Sequence, residues 1–134
     1  MSAAYSALEF HSMAEQEVRS SERYRRFFSF VLMTSESESM ALKEALCDSL
    51  RDSDFITEFR GCINILMSET DKEDALLAIK RFETKQSFLD ELRFSIASFP
   101  EDGTTYQDIS RKASERLNDV NSTVQGAIVS DEQA

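Results

Sequence analysis

Tryptophan is absent from this sequence, and it has one histidine, one proline, two cysteines and three glycines among 134 residues. His11 alone cannot build a zinc site, which takes three or four His, Cys or carboxylate ligands, and Cys47 and Cys62 are not spaced as a metal pair. The same shortage argues against a Ser-His or Cys-His catalytic arrangement. The two cysteines read as reduced, small apolar side chains rather than a disulfide. So little glycine and proline excludes a collagenous or low-complexity chain. Long apolar runs are missing as well. The longest, near Phe27 to Met33, is interrupted by Ser29 and is far too short to span a bilayer. The N-terminus lacks a basic-then-apolar secretory pattern, so the expected location is cytoplasmic, with no membrane insertion. Positive charge is in deficit: 15 basic residues face 25 acidic ones, a net charge of −10. That balance disfavours nucleic acid and anionic membranes as partners. Arg19, Arg23, Arg25 and Arg26 are nonetheless gathered in one stretch. They either solvate a helix end or meet an acidic partner.

What is present fits one soluble globular domain: 41% hydrophobic and 30% charged residues, in a chain long enough to bury a core. The pattern predicts a helix from about Ala7 to Tyr24, with Phe10, Ala14 and Val18 recurring every four positions. Phe27 to Met33 reads as a central strand covered on both faces. A Ser/Glu loop follows, then a helix from about Met40 to Leu50 with Leu42, Ala45, Leu46 and Ser49 inward. Asp54 to Phe59 alternates, with Phe55, Thr57 and Phe59 on one side. Arg60-Gly61 turns the chain into a second apolar strand, Cys62 to Met67, making a hairpin. A helix from Asp71 to Phe82 carries Ala75, Ala78, Ile79 and Phe82, with Thr70 and Glu73 placed as a capping box. Leu92 to Phe99 is a further strand, stopped by Pro100-Glu101-Asp102-Gly103. Thr104 or Thr105 opens a last helix with Ile109, Ala113 and Leu117 inward. The expected fold class is α+β: a ferredoxin-like or palm-like βαββαβ core, an antiparallel sheet with helices on one face and flanking N- and C-terminal helices. Residues 1–121 form the domain and residues 122–134 a flexible tail.

This order, with several specific segments, resembles the GGDEF domain of bacterial diguanylate cyclases. Glu17 to Tyr24 looks like the end of that family's first helix, and Phe27 to Met33 like its first core strand. Leu50 to Met67 looks like its signature hairpin. The most specific stretch is Phe94 to Thr104, which resembles a Ser-Ile-Gly strand followed by Pro-x-Asp-Gly-Thr, with Ala97 in place of the usual glycine. The resemblance implies a cyclase that joins two GTP molecules into cyclic di-GMP, using carboxylates that hold two divalent cations. Here the signature Gly-Gly-Asp/Glu-Glu-Phe reads Arg60-Gly61-Cys62-Ile63-Asn64, a degenerate form lacking both acids. Near Met33, where an Asp is expected, there is none. The guanine-reading Asn falls near Ser6 and the phosphate-contacting Lys near Asn121. The Phe-Lys-x-x-Asn-Asp run is absent, and Glu36 and Glu38 read as solvated loop acids. The expectation is therefore no catalytic residues, no metal, no cofactor and no enzyme activity.

Members of the family also bind cyclic di-GMP at an Arg-x-x-Asp motif five residues before the signature. Arg51-Asp52-Ser53-Asp54 keeps that spacing, and Arg81 is the nearest match to a second arginine from the next helix. Arg51, Asp54 and Arg81 are thus candidate ligand-binding residues, since a guanidinium forks onto guanine or phosphate acceptors. The bland alternative is a structural pair at a helix-to-strand junction. Two functions follow: a regulatory or scaffolding module acting on a protein partner or as a homodimer, or a cyclic di-GMP receptor. A residual nucleotide-processing enzyme is a third.

Overall fold

The computed structural model describes residues 5–35, 39–59, 62–84, 92–121 and 128–129. Helix α1 (Ala7–Tyr24) starts in a reciprocal cap. The Glu9 amide donates to Ser6 Oγ at 3.1 Å and the Ser6 amide donates to Glu9 Oε1 at 3.0 Å. The helix ends at Arg25, whose φ of 55° turns the chain left-handed into the first strand. β1 (Phe28–Ser35), α2 (Ser39–Ser49), β2 (Asp54–Phe59), β3 (Cys62–Ser68), α3 (Lys72–Thr84), β4 (Leu92–Phe99) and α4 (Tyr106–Asn121) follow in order. The strands lie in the order β2-β3-β1-β4, all antiparallel, as the βαββαβ order requires. Within the stretch expected as a tail, Ile128–Val129 form β5, parallel to β4. The rest of that stretch lies outside the described residues, as do Glu36 and Glu38.

Period-two alternation splits the core in two. Val31, Met33, Ile56, Ile63, Ile65, Met67, Phe94 and Ile96 face α2 and α3, meeting Leu46, Ala75, Ile79 and Phe82. Phe28, Phe30, Leu32, Leu66, Ala97 and Phe99 face α1 and α4, meeting Phe10, Ala14, Ile109, Ala113 and Leu117. As expected of the βαββαβ core, α2 and α3 share one face of the sheet, and the flanking terminal helices α1 and α4 form a full layer on the other. This explains why β1 is apolar throughout, with Phe28 to Met33 buried residue after residue.

β2 uses both faces: Ile56 is fully buried on one, while on the other, which carries Phe55, Thr57 and Phe59, Phe59 is 49% exposed. One local expectation shifts. The cap of α3 is Asp71, whose Oδ1 accepts from the Asp74 amide at 2.8 Å. Thr70 is engaged elsewhere, as described next. Thr105 caps α4, accepting from the Asp108 amide at 3.0 Å.

Candidate functional site

Arg51 and Asp54 flank the turn between α2 and β2. The Asp54 carboxylate is held below the surface, 4% exposed, while the Arg51 side chain is 57% exposed. Asp54 accepts from the Arg51 amide at 2.9 Å, from Nε at 3.5 Å and from Nη2 at 3.1 Å. Arg51 Nη2 also donates to the Ser68 carbonyl at 2.9 Å and to Thr70 Oγ1 at 2.6 Å. Thr70 in turn donates to the Ser68 carbonyl at 2.8 Å. The arginine is therefore pinned across the ends of β2 and β3, and none of these bonds uses Nη1. A buried carboxylate bonded this way keeps its partner in one rotamer.

Around this pair lies an open cleft of about 450 Å³ between α2, the β2–β3 ends and α3. Arg81, in the last turn of α3, lines it with Arg51 and Asp54, so all three residues picked from the sequence converge. Glu69 and Asp74 add negative charge to the rim, and Leu50, Met67 and Phe82 make an apolar floor. Sequence spacing did not reveal Thr70 and Ser68, which lie far along the chain and meet Arg51 only through the β2–β3 pairing.

The signature hairpin is the second candidate. Arg60 and Gly61 lie outside the described residues. Ile63 stands directly opposite Met33 across β3 and β1, and both are fully buried. Cys62 and Asn64 are partly buried on the other face of β3. Burial pushes the Cys62 thiol up. Among the described residues, no group of three or more His, Cys, Asp or Glu side chains is placed to hold a metal ion. Ser6 is used as the α1 cap and Asn121 ends α4.

A buried charge cluster was not foreseen from sequence. Asp102, fully buried, pairs with Arg116 at 2.8 Å and with Lys72 at 3.0 Å, and accepts from the Ser98 amide at 2.8 Å. Arg116 also donates to the Ile96 carbonyl at 2.6 Å. The available signal was Arg116 itself, seven residues after Ile109 on the inward stripe of α4, where a charge must find a partner.

No family model and no curated protein matches this sequence. Solved structures do match. The GGDEF domain of YfiN (TpbB) from Pseudomonas aeruginosa superposes with a TM-score of 0.79, at 14% identity over 96% of each chain. The active GGEEF domain of a diguanylate cyclase from Vibrio cholerae gives 0.74, at 11% identity over 90% of this chain and 92% of that one. A microbial GGDEF domain described in its interaction with cyclic di-GMP gives 0.75, at 14% identity over 96% of this chain and 92% of that one. The chain therefore has the GGDEF fold, as its segments suggested. The expectation that it is not an enzyme is corrected. Its fold is shared with an active GGEEF domain, and the missing signature acids do not by themselves establish loss of catalysis. The reason is physical: transition-state charge is met by a whole constellation of groups, and part of this hairpin lies outside the described residues.

Proposed function

We propose that this GGDEF-fold domain is a regulatory module that binds cyclic di-GMP in the cleft of Arg51, Asp54 and Arg81. The observation that carries the reading is the convergence of two arginines on one open cleft in a protein of net charge −10. A dianionic dinucleotide is repelled by most of this surface, so a local pair of guanidiniums is what would hold it. Arg51 is already oriented by Asp54 and Thr70, which lowers the entropy lost when it forks onto guanine or phosphate acceptors. Its Nη1 edge would make that contact. Regulation would follow if the bound cleft, or the acidic surface beside it, meets a protein partner or a second copy of the chain.

Titration calorimetry with cyclic di-GMP tests this. Saturable heat with wild type is expected, weakened about tenfold or more by Arg51→Ala, since a lost charged hydrogen bond is worth about 1.5–3 kcal/mol. Arg81→Ala leaves the Arg51 bridge in place and is expected to weaken binding as well. No heat with wild type, or equal affinity in both variants, overturns the reading. The fold of an active cyclase favours a second reading, nucleotide processing at the β2–β3 hairpin. A GTP-turnover assay with magnesium or manganese decides it: product supports it, and turnover at the buffer rate sets it aside.

A further inference from the structure

On the opposite face of the sheet from the Arg51 cleft, a cavity of about 580 Å³ lies between α1, α4 and the β2–β3 pair. Its walls are aromatic. Tyr106 packs against Phe10 and Phe30 with ring centroids 6.4 and 5.7 Å apart, and its edge meets His11 at 5.1 Å. Phe59, 49% exposed, stands at the mouth.

Thr57 is the feature without a structural explanation. It is 3% exposed and lines this cavity, yet its Oγ1 is buried without a hydrogen-bond partner. An unpaired buried hydroxyl costs free energy, and such groups in native proteins call for a reason. Directly across the ladder stands Asn64, on the same face. Its Nδ2 reaches the Cys62 carbonyl only at 3.5 Å, the outer limit of a hydrogen bond. Opposed residues of an antiparallel pair have side chains about 5 Å apart. A hydroxyl and a carboxamide at that spacing match a ligand edge that carries a donor beside an acceptor. Charge narrows the class further. Among the described residues no Lys or Arg lines the cavity, and Glu15 stands on its rim beside His11, 3.5 Å away. An anion would be unpaired there.

We propose that this cavity binds an uncharged, planar heteroaromatic molecule with a carboxamide- or lactam-type edge, held by Thr57 and Asn64 and covered by Tyr106 and Phe59. The Thr57 hydroxyl is reached when the weakly held Asn64 carboxamide swings aside, and the ligand edge then bonds to both side chains. Ring-on-ring contact with Tyr106 and Phe59 supplies the apolar part of the affinity.

Amide-resolved NMR titration with nicotinamide and with the bicyclic lactam isoquinolin-1-one tests the site, with nicotinate as the anionic control. Saturable shifts are expected at residues 57, 64 and 106–110 with one or both neutral probes, at least about tenfold weaker with nicotinate. Thr57→Val should weaken the neutral probes about tenfold, the loss of one buried hydrogen bond. The same variant, free of ligand, should melt about 2–4 °C higher, because an unpaired hydroxyl is replaced by a methyl. The proposal is overturned if neither neutral probe gives saturable shifts, if nicotinate binds equally, if Thr57→Val binds as wild type does, or if it melts lower.

Discussion

Burial pushes the Tyr106 hydroxyl up to about 12, and the Glu15 carboxylate nearby adds to the shift. An unfolded tyrosine loses its proton near pH 10, so between pH 10 and 12 the unfolded chain releases a proton that the native protein keeps. Stability conferred by the neutral hydroxyl is full below that window and falls as pH rises through it. The loss should total on the order of 2 kcal/mol, from the linkage of about 1.4 kcal/mol per unit. Urea unfolding from pH 9 to 12 checks it: Tyr106→Phe should show a flatter alkaline decline than wild type, and parallel curves would refute the assignment. At this scale the sequence was legible in part. Arg51 and Asp54 could be picked by spacing, because a short turn fixes residues three apart. Tyr106 could not be placed among Phe10 and Phe30, which approach it only when α1 and α4 share one face of the sheet.

Among elements, α2 shows how one side chain can anchor a helix. Of its described side chains only Leu46 is fully buried, with Ala45 and Cys47 packing partly against the same cluster. Leu46→Ala should therefore cost about 2–5 kcal/mol, the range for a buried leucine in a site that cannot collapse. Leu77→Ala on α3, where the side chain is 48% exposed, should stay within about 0.5 kcal/mol. Chemical denaturation of the two variants measures both, and equal costs would refute the ranking. The helix patterns read well from sequence: α1 begins and ends where periodicity placed it, and Ala75, Ala78, Ile79 and Phe82 all reach the core. The α3 cap did not, by one residue. Thr70 has the right chemistry for a cap, but its hydroxyl is taken by Arg51, leaving Asp71 to satisfy the helix amides.

Across the whole molecule, two apolar cores share one sheet, and the cluster around Asp102 joins the layers at its end. Lys72 comes from α3 on one face and Arg116 from α4 on the other, and both meet the same carboxylate. Arg116→Ala removes one of the cations paired with Asp102 and frees the Ile96 carbonyl, so a loss of about 3 kcal/mol is expected. Its effect should not add to that of Lys72→Met in a double-mutant cycle by urea unfolding, because the two cations share one partner; strict additivity would refute the cluster as a unit. The sequence by itself determined the order of elements, the core stripes and the GGDEF-like segments, because periodicity and turn chemistry are local. Only the tertiary structure decided that α1 and α4 share the face opposite α2 and α3, that Arg81 reaches the cleft of the Arg51–Asp54 pair, and that Asp102 is shared by two cations. Those depend on strand pairing and layer packing, which bring together residues whose spacing along the chain carries no trace of the contact.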